Sequence, residues 1–156
     1  MNQELNKGLE LIRYVRESIL ALTGGMSNEQ LNEIPDGFNN NVAWNVGHIL
    51  FTQQMLCYQL GGIRPAVDIS LYARFAPGTR PEFLITAKEL EKIWGALIGS
   101  IEQLEFDLQS GLFAGYAGWN LPSGIAIGSI QDAIMTSLVH EGRHLGVIIA
   151  LSKIIA

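Results

Sequence analysis

The chain contains three histidines, and their spacing is the feature from which a function can be argued. His140 and His144 stand four residues apart in a long apolar segment near the end of the chain. Side chains at positions i and i+4 lie on the same face of an α-helix, so these two imidazoles can converge on one metal ion. Zinc, nickel and iron all bind imidazole nitrogen. The alternative is that the two histidines bind no ligand, because such pairs also arise by chance.

The same residues spell His-Glu-x-x-His, which is the signature of zinc proteases with Glu141 as the general base. Such a protease needs a third ligand downstream, and no His, Glu, Asp or Cys follows His144. Glu141 also lies about 100° around the helix from His140, at the edge of the histidine face. The pattern therefore disfavours a protease. Without a catalytic role, Glu141 is expected to be an exposed helix residue.

The third histidine, His48, lies in a predicted helix that begins after residues 39–41 and extends to about residue 60. A helical wheel places a mixture of polar, aromatic and apolar side chains beside it, namely Asn41, Trp44, Asn45, Thr52, Met55 and Gln59. This mixture predicts the wall of a site in which His48 is the third ligand. We select Trp44, Asn45 and Thr52 as residues of a substrate pocket, together with Arg143, about 60° from His140 on the last helix. A lone histidine satisfied by a neighbouring group remains the alternative for His48.

Four long helices are predicted to position these residues. The first covers residues 3–22, with an apolar stripe that repeats every three or four positions, and a short helical turn follows at Ser27. The second is the helix of His48. The third is predicted from Thr79 to about residue 108, because Thr79-Arg80-Pro81-Glu82 resembles a capping box with proline in the first turn. The last begins at Ser129 and continues to the end of the chain.

Residues 61–78 show no clean periodicity and are predicted to be a long connection with a short helical piece near residues 70–75. Residues 111–128 form a second, glycine-rich loop. No segment alternates as a strand would, so the sequence predicts an all-α fold: a four-helix bundle with a long crossover between the second and third long helices. Gly142 and Gly146 form a strip that allows another helix to approach closely, and a helix of the same chain is the preferred partner over a second subunit.

Composition limits the classes of function. With 156 residues, of which 48% are hydrophobic, the chain is expected to form one domain over residues 1–156. The net charge of −5 and the lack of a basic stripe argue against nucleic acid, and polar interruptions argue against a membrane span. Cys57 is the only cysteine and the chain does not begin like a signal peptide, so a cytoplasmic location is expected.

The segment Trp44-Asn45-Val46-Gly47-His48-Ile49, followed far along the chain by His140-x-x-x-His144, resembles the DinB-like superfamily. Its members are bacterial four-helix bundles of about this length, and the resemblance covers essentially the whole chain. The family pattern has a histidine after a tryptophan in the second helix and a His-x-x-x-His pair in the last helix, so it implies that His48, His140 and His144 hold one divalent metal ion. The resemblance and the many apolar positions both imply a homodimer.

The resemblance leaves the reaction open. The superfamily is similar in fold to thiol-dependent enzymes, such as a mycothiol-dependent maleylpyruvate isomerase and bacillithiol transferases, and also contains proteins assigned as metal-dependent hydrolases. With a low-molecular-weight thiol the metal would produce a thiolate, and in a hydrolase it would activate water. A small-molecule substrate is expected in either case. The remaining alternative is a non-catalytic stress-related or interaction protein with a structural or vestigial metal site. A structural site would need a fourth protein ligand, and Cys57 is a poor candidate because it lies about 180° around the helix from His48.

Overall fold

A computed structural model describes residues 3–155, apart from the side chains at 69–71. The described part contains five α-helices and one two-stranded antiparallel sheet. The helices are α1 (Gln3–Thr23), α2 (Asn28–Asn32), α3 (Val42–Cys57), α4 (Ala87–Gln109) and α5 (Ile130–Ile155), and the strands are β1 (Trp119–Asn120) and β2 (Ala126–Ile127). The predicted all-α bundle is confirmed, with α1, α3, α4 and α5 as its long helices.

Contacts between helices give the direction in which each one runs. Gln131 of α5 donates a hydrogen bond to Glu4 of α1, and further along both helices Arg16 of α1 pairs with Glu141 of α5. The residue numbers rise together, so α1 and α5 are parallel.

The crossover between α3 and α4 joins two helices that are also parallel to each other. Gln53 of α3 donates to the carbonyl of Ser100 on α4, and further along both helices Tyr58 donates to Asp107. The helices α3 and α4 therefore run parallel, and residues 58–86 carry the chain back along the whole bundle. The predicted short helical piece is present in this crossover as a 3₁₀ helix at Ile69–Phe75.

The helix α3 lies at the centre of the fold. Each of its residues except Met55 is buried, because α4, α5 and the crossover all pack against it. The side chain of Asn41 caps the helix by accepting a hydrogen bond from the backbone N–H of Trp44. A polar residue on such a helix has no access to bulk water and needs a partner inside the protein. This position explains why His48 and Asn45 are held by specific contacts.

The predicted start of the third long helix at Thr79 is wrong, since α4 begins at Ala87. A second capping box sets this start: Glu89 N–H donates to the Thr86 hydroxyl, and Thr86 N–H donates to the Glu89 carboxylate. The hydroxyl of Thr79 instead bonds to two carbonyls of the preceding turn and accepts a hydrogen bond from the Trp44 indole. The residues from Thr79 to Thr86 consequently form an extended segment beside the start of α3.

Two further expectations need correction. The second long helix ends at Cys57, and a 3₁₀ turn at Gln59–Gly61 occupies its predicted last residues. The glycine-rich loop contains the hairpin β1–β2, which the sequence did not indicate because strands of two residues are too short to show alternation.

The glycine strip on α5 does not contact another helix of the described chain. A Cβ atom built on Gly142 or Gly146 would have no atom within 4 Å, so the expected intrachain contact is wrong. The strip is instead continuous with exposed apolar side chains of α5, which are Met135, Val139 and Ile149. Within the described residues no helix has both the length and the apolarity that crossing a membrane requires.

Candidate metal centre

The three histidines of the sequence meet between α3 and α5. The Nε2 atom of His140 lies 3.2 Å from Nε2 of His48 and 3.2 Å from Nε2 of His144. One nitrogen from each ring lies within 4.8 Å of the other two, which is the arrangement that a metal ion requires. The remaining nitrogen of each ring then decides whether the Nε2 atom carries a lone pair or a proton.

The crossover and Trp44 fix the orientation of His48. Its Nδ1 lies 2.6 Å from the carbonyl oxygen of Phe75, and because a carbonyl can only accept, Nδ1 must carry the proton. The Nε2 atom of His48 therefore carries a lone pair that points towards the other histidines. The Trp44 ring stacks on the imidazole with centroids 4.6 Å apart and planes 12° apart, which prevents the ring from tilting.

A buried asparagine orients His144 in the same way. Nδ1 of His144 lies 2.7 Å from Oδ1 of Asn45, while the Asn45 amide nitrogen donates to the backbone carbonyl of Asn41. The second contact fixes the amide with its oxygen towards His144, so Nδ1 is again the protonated nitrogen. Asn45 is only 2% exposed, and we therefore assign it a role in positioning His144. Partners of this kind raise the basicity of a ligating histidine and hold its ring in place.

The contacts of His140 favour a bound cation. Its Nε2 faces the lone pairs of two neighbours. A proton on this Nε2 could satisfy only one of the two neighbouring nitrogens. A metal ion satisfies all three, and tetrahedral coordination at about 2.05 Å would place the ligand nitrogens about 3.3 Å apart. The observed separations of 3.2 Å fit this geometry.

All three histidines are held in the neutral form that binds metals. Burial lowers the pKa of His140 to about 3, with further contributions from His144, His48 and the charge of Arg143. Burial likewise lowers the pKa of His144 to about 4, assisted by His48 and Arg143. The pKa of His48 is also lowered by burial, against the opposing effect of its bond to Phe75. At neutral pH the site therefore offers three neutral imidazoles, and a metal need not displace protons from them.

The predicted pocket residues take different places around this centre. The Thr52 hydroxyl lies 3.4 Å from Nε2 of His48, beside the point where the nitrogens converge. Arg143 is exposed, and it lies close enough to lower the pKa values of His140 and His144. These two histidines are partly exposed whereas His48 is buried, so the site opens along the α5 side, where Arg143 supplies a positive charge.

The expectation of an exposed Glu141 is wrong. Its side chain is 0% exposed and forms two hydrogen bonds with Arg16, of 2.7 and 2.8 Å, and Arg16 is equally buried. Ser137 also donates to this carboxylate. The sequence contains a signal for this pair, because Arg16 lies between Val15 and Ile19 on the apolar stripe of the first helix. A carboxylate held in this way is not available as a general base at the metal centre.

Two arginines outside the site are paired with carboxylates, and Cys57 is buried away from the histidines. Arg13 pairs with Glu105 at 3.0 Å, and Arg74 pairs with Glu89 at 2.9 Å. The Cys57 thiol is fully buried, and burial raises its pKa to about 12, with Glu141 adding to the shift. Cys57 is therefore neither an active nucleophile nor a member of the histidine group.

We expect the variant Asn45→Ala to bind zinc about 10- to 100-fold more weakly, because His144 loses the acceptor that orients it. Competition with a chromogenic chelator measures the affinity. Asn45→Asp should recover most of it, since a carboxylate can accept the same proton. Asn39→Ala, in the exposed loop before α3, is the matched control. An unchanged zinc affinity in Asn45→Ala would show that Asn45 does not position a ligand.

Comparison with protein families gives a match over most of the chain. The sequence profile of the DinB superfamily matches residues 11–148, a span that contains all three histidines and the crossover. No curated protein matches the chain.

Proposed function

The chain belongs to the DinB superfamily, and we propose that it is a metal-dependent thiol S-transferase whose divalent metal is held by His48, His140 and His144. The observation that carries the proposal is the convergence of three Nε2 atoms, two of which are forced to carry lone pairs by the partners of Nδ1. Three protein ligands leave a coordination position for a reactant, as in catalytic zinc sites.

The chemistry that the metal supplies when bound is a lower pKa for a coordinated thiol, which makes a thiolate available at neutral pH. The protein residues then have three tasks. The Phe75 carbonyl and Asn45 hold His48 and His144 in the ligating tautomer. Trp44 closes the site behind His48. Arg143, at the open side, is placed to pair with a carboxylate of the thiol or of the electrophile.

The surroundings of the site favour thiol transfer over hydrolysis. A hydrolase also needs a group that delivers a proton to the leaving group. No Asp, Glu or Cys of the described residues joins the three histidines, and the neighbouring carboxylate, Glu141, is held by Arg16. A thiol in water has a pKa of about 8.5, compared with 15.7 for water, so its activation demands less from the protein.

The test compares the two reactions in one preparation. Protein loaded with zinc or nickel is mixed with bacillithiol, mycothiol or glutathione and the electrophile 1-chloro-2,4-dinitrobenzene, and the S-conjugate is measured by absorbance. Hydrolysis of 4-nitrophenyl acetate is measured in parallel. We expect a conjugate that requires metal and one of the thiols, and an increase in KM for the thiol in Arg143→Gln, with Lys153→Gln as the control. Metal-dependent hydrolysis without conjugation would contradict the transferase, and metal binding without either activity would favour a non-catalytic role.

We also propose that the protein is a homodimer that associates through α5. The face formed by Met135, Val139, Gly142, Gly146 and Ile149 supports this, because it is exposed, uncharged and lacks a covering helix. A second copy related by two-fold symmetry would present the same face, and the glycines allow close approach. Light scattering should give twice the chain mass of 17.1 kDa.

In the same measurement Val139→Glu, at a side chain that is 65% exposed, should give a monomer, because it places a charge on the proposed interface. Glu102→Lys, on the exposed side of α4, should leave the mass unchanged. A 17.1 kDa particle at micromolar concentration for the unaltered protein would exclude the dimer.

A further inference from the structure

A cavity of about 390 Å³ lies between the start of α3 and the crossover, and none of the three histidines lines it. We propose that this cavity is a second binding site, and that its ligand is a small apolar molecule with one carboxylate. Its volume lies in the range of pockets that hold small ligands. We call it the crossover cavity, and its walls are Trp44, Arg74, Phe75, Gly78, Thr79, Arg80, Pro81, Glu82, Phe83 and Ile85.

The side chains that line the cavity are suited to the apolar part of the ligand. Two aromatic side chains, Trp44 and Phe75, and the buried Ile85 form the inner part of the cavity. Phe83 stands at the wall with 76% of its surface exposed. An aromatic ring in this position leaves apolar area in water, and a ligand in the cavity would cover part of it, with a gain of about 25 cal/mol for each Å² removed from water.

The charges around the cavity select a single negative charge. Arg74 is engaged, because it pairs with Glu89 and its guanidinium lies 5.0 Å from the centre of the Phe75 ring. Arg80 is exposed and forms no ion pair with the described residues, so its guanidinium is available for a carboxylate. Glu82 lines the same cavity and would repel a second negative charge.

Trp44 connects the crossover cavity with the three histidines. The Trp44 indole donates to the Thr79 hydroxyl and to the Arg74 carbonyl, and both residues line the cavity. The Trp44 ring also stacks on His48. A ligand that contacts Trp44 from the cavity therefore contacts a ring that also supports His48.

The test uses metal-free protein, in which a carboxylate cannot bind at a metal ion. Titration calorimetry with 3-phenylpropionate, 4-phenylbutyrate and octanoate should show binding of at least one acid below about 1 mM, and the corresponding neutral amide should bind about tenfold more weakly, the loss expected for one charge-assisted hydrogen bond. Arg80→Gln should reduce the affinity for the acid to that for the amide. Lys88→Gln, an exposed charge of the same sign outside the lining, is the matched control.

Two further measurements locate the binding site. His140→Ala should retain the affinity for the acid, which separates this proposal from the proposed metal chemistry. Quenching of tryptophan fluorescence by the acid should disappear in Trp44→Phe. The proposal is overturned if no acid binds below 5 mM, if the amide binds as tightly as the acid, or if Arg80→Gln leaves the affinity unchanged. Preference for 3-phenylpropylamine over the acid would overturn it equally, by identifying Glu82 as the charge that selects the ligand.

Discussion

The variant His48→Gln should lose most of the increase in melting temperature that zinc or nickel gives to the unaltered protein. A ligand that binds only the folded state stabilises it by mass action. At about 100 times its Kd a metal adds about 2.7 kcal/mol to the free energy of unfolding, or about 5 to 10 °C for a chain of this size. Glutamine removes the Nε2 ligand of His48, and the two remaining histidines come from a single helix.

The metal-free variant should melt within about 2 °C of the metal-free parent, because glutamine keeps much of the volume and polarity of the histidine side chain. Met55→Leu is a substitution of similar volume on the same helix, and metal should raise its melting temperature as much as it raises that of the parent. Differential scanning calorimetry with and without metal measures both quantities. If metal-free His48→Gln were much less stable than the metal-free parent, and metal still raised its melting temperature fully, His48 would be a packing residue and not a ligand.

The residues of the candidate metal centre could be proposed from the sequence because they depend on local periodicity. The i, i+4 relation of His140 and His144 is set by the α-helix itself, and the capping residues Asn41 and Ser129 correctly indicated where the two ligand-bearing helices begin. The convergence of the second helix on the last then followed from the resemblance of the whole chain to one family.

The partners that orient the ligands could not be found in this way. The Phe75 carbonyl contacts His48 from the crossover, a segment without periodicity. Every residue has a backbone carbonyl, so the residue type does not show which one accepts a hydrogen bond. The helix start predicted at Thr79 was wrong because a capping box is a local pattern, whereas the conformation of this segment depends on tertiary contacts with Trp44. Asn45 lies beside His144, but its role as the acceptor for His144 depends on the bundle geometry.

The second large effect is expected at the buried ion pair of Arg16 and Glu141. Glu141→Gln should lower the free energy of unfolding by about 3 to 5 kcal/mol, because it leaves the charge of Arg16 buried without its counter-ion. Both side chains are 0% exposed, and Arg16 also donates to the Ser100 hydroxyl and to the Leu97 carbonyl of α4. The guanidinium thus joins three helices and cannot move out to water.

This loss should be separable from metal binding and catalysis. Arg16→Met combined with Glu141→Leu should recover most of the stability, because replacing both charges leaves no unpaired ion in the core. Urea unfolding of the parent, of Arg16→Met, of Glu141→Leu and of the double variant forms a cycle from which the coupling of the pair is obtained. At a temperature where Glu141→Gln remains folded, its zinc affinity should equal that of the parent. If Glu141→Gln instead kept full stability and lost only the metal-dependent activity, Glu141 would be the general base of the His-Glu-x-x-His signature, and the hydrolytic alternative would replace thiol transfer.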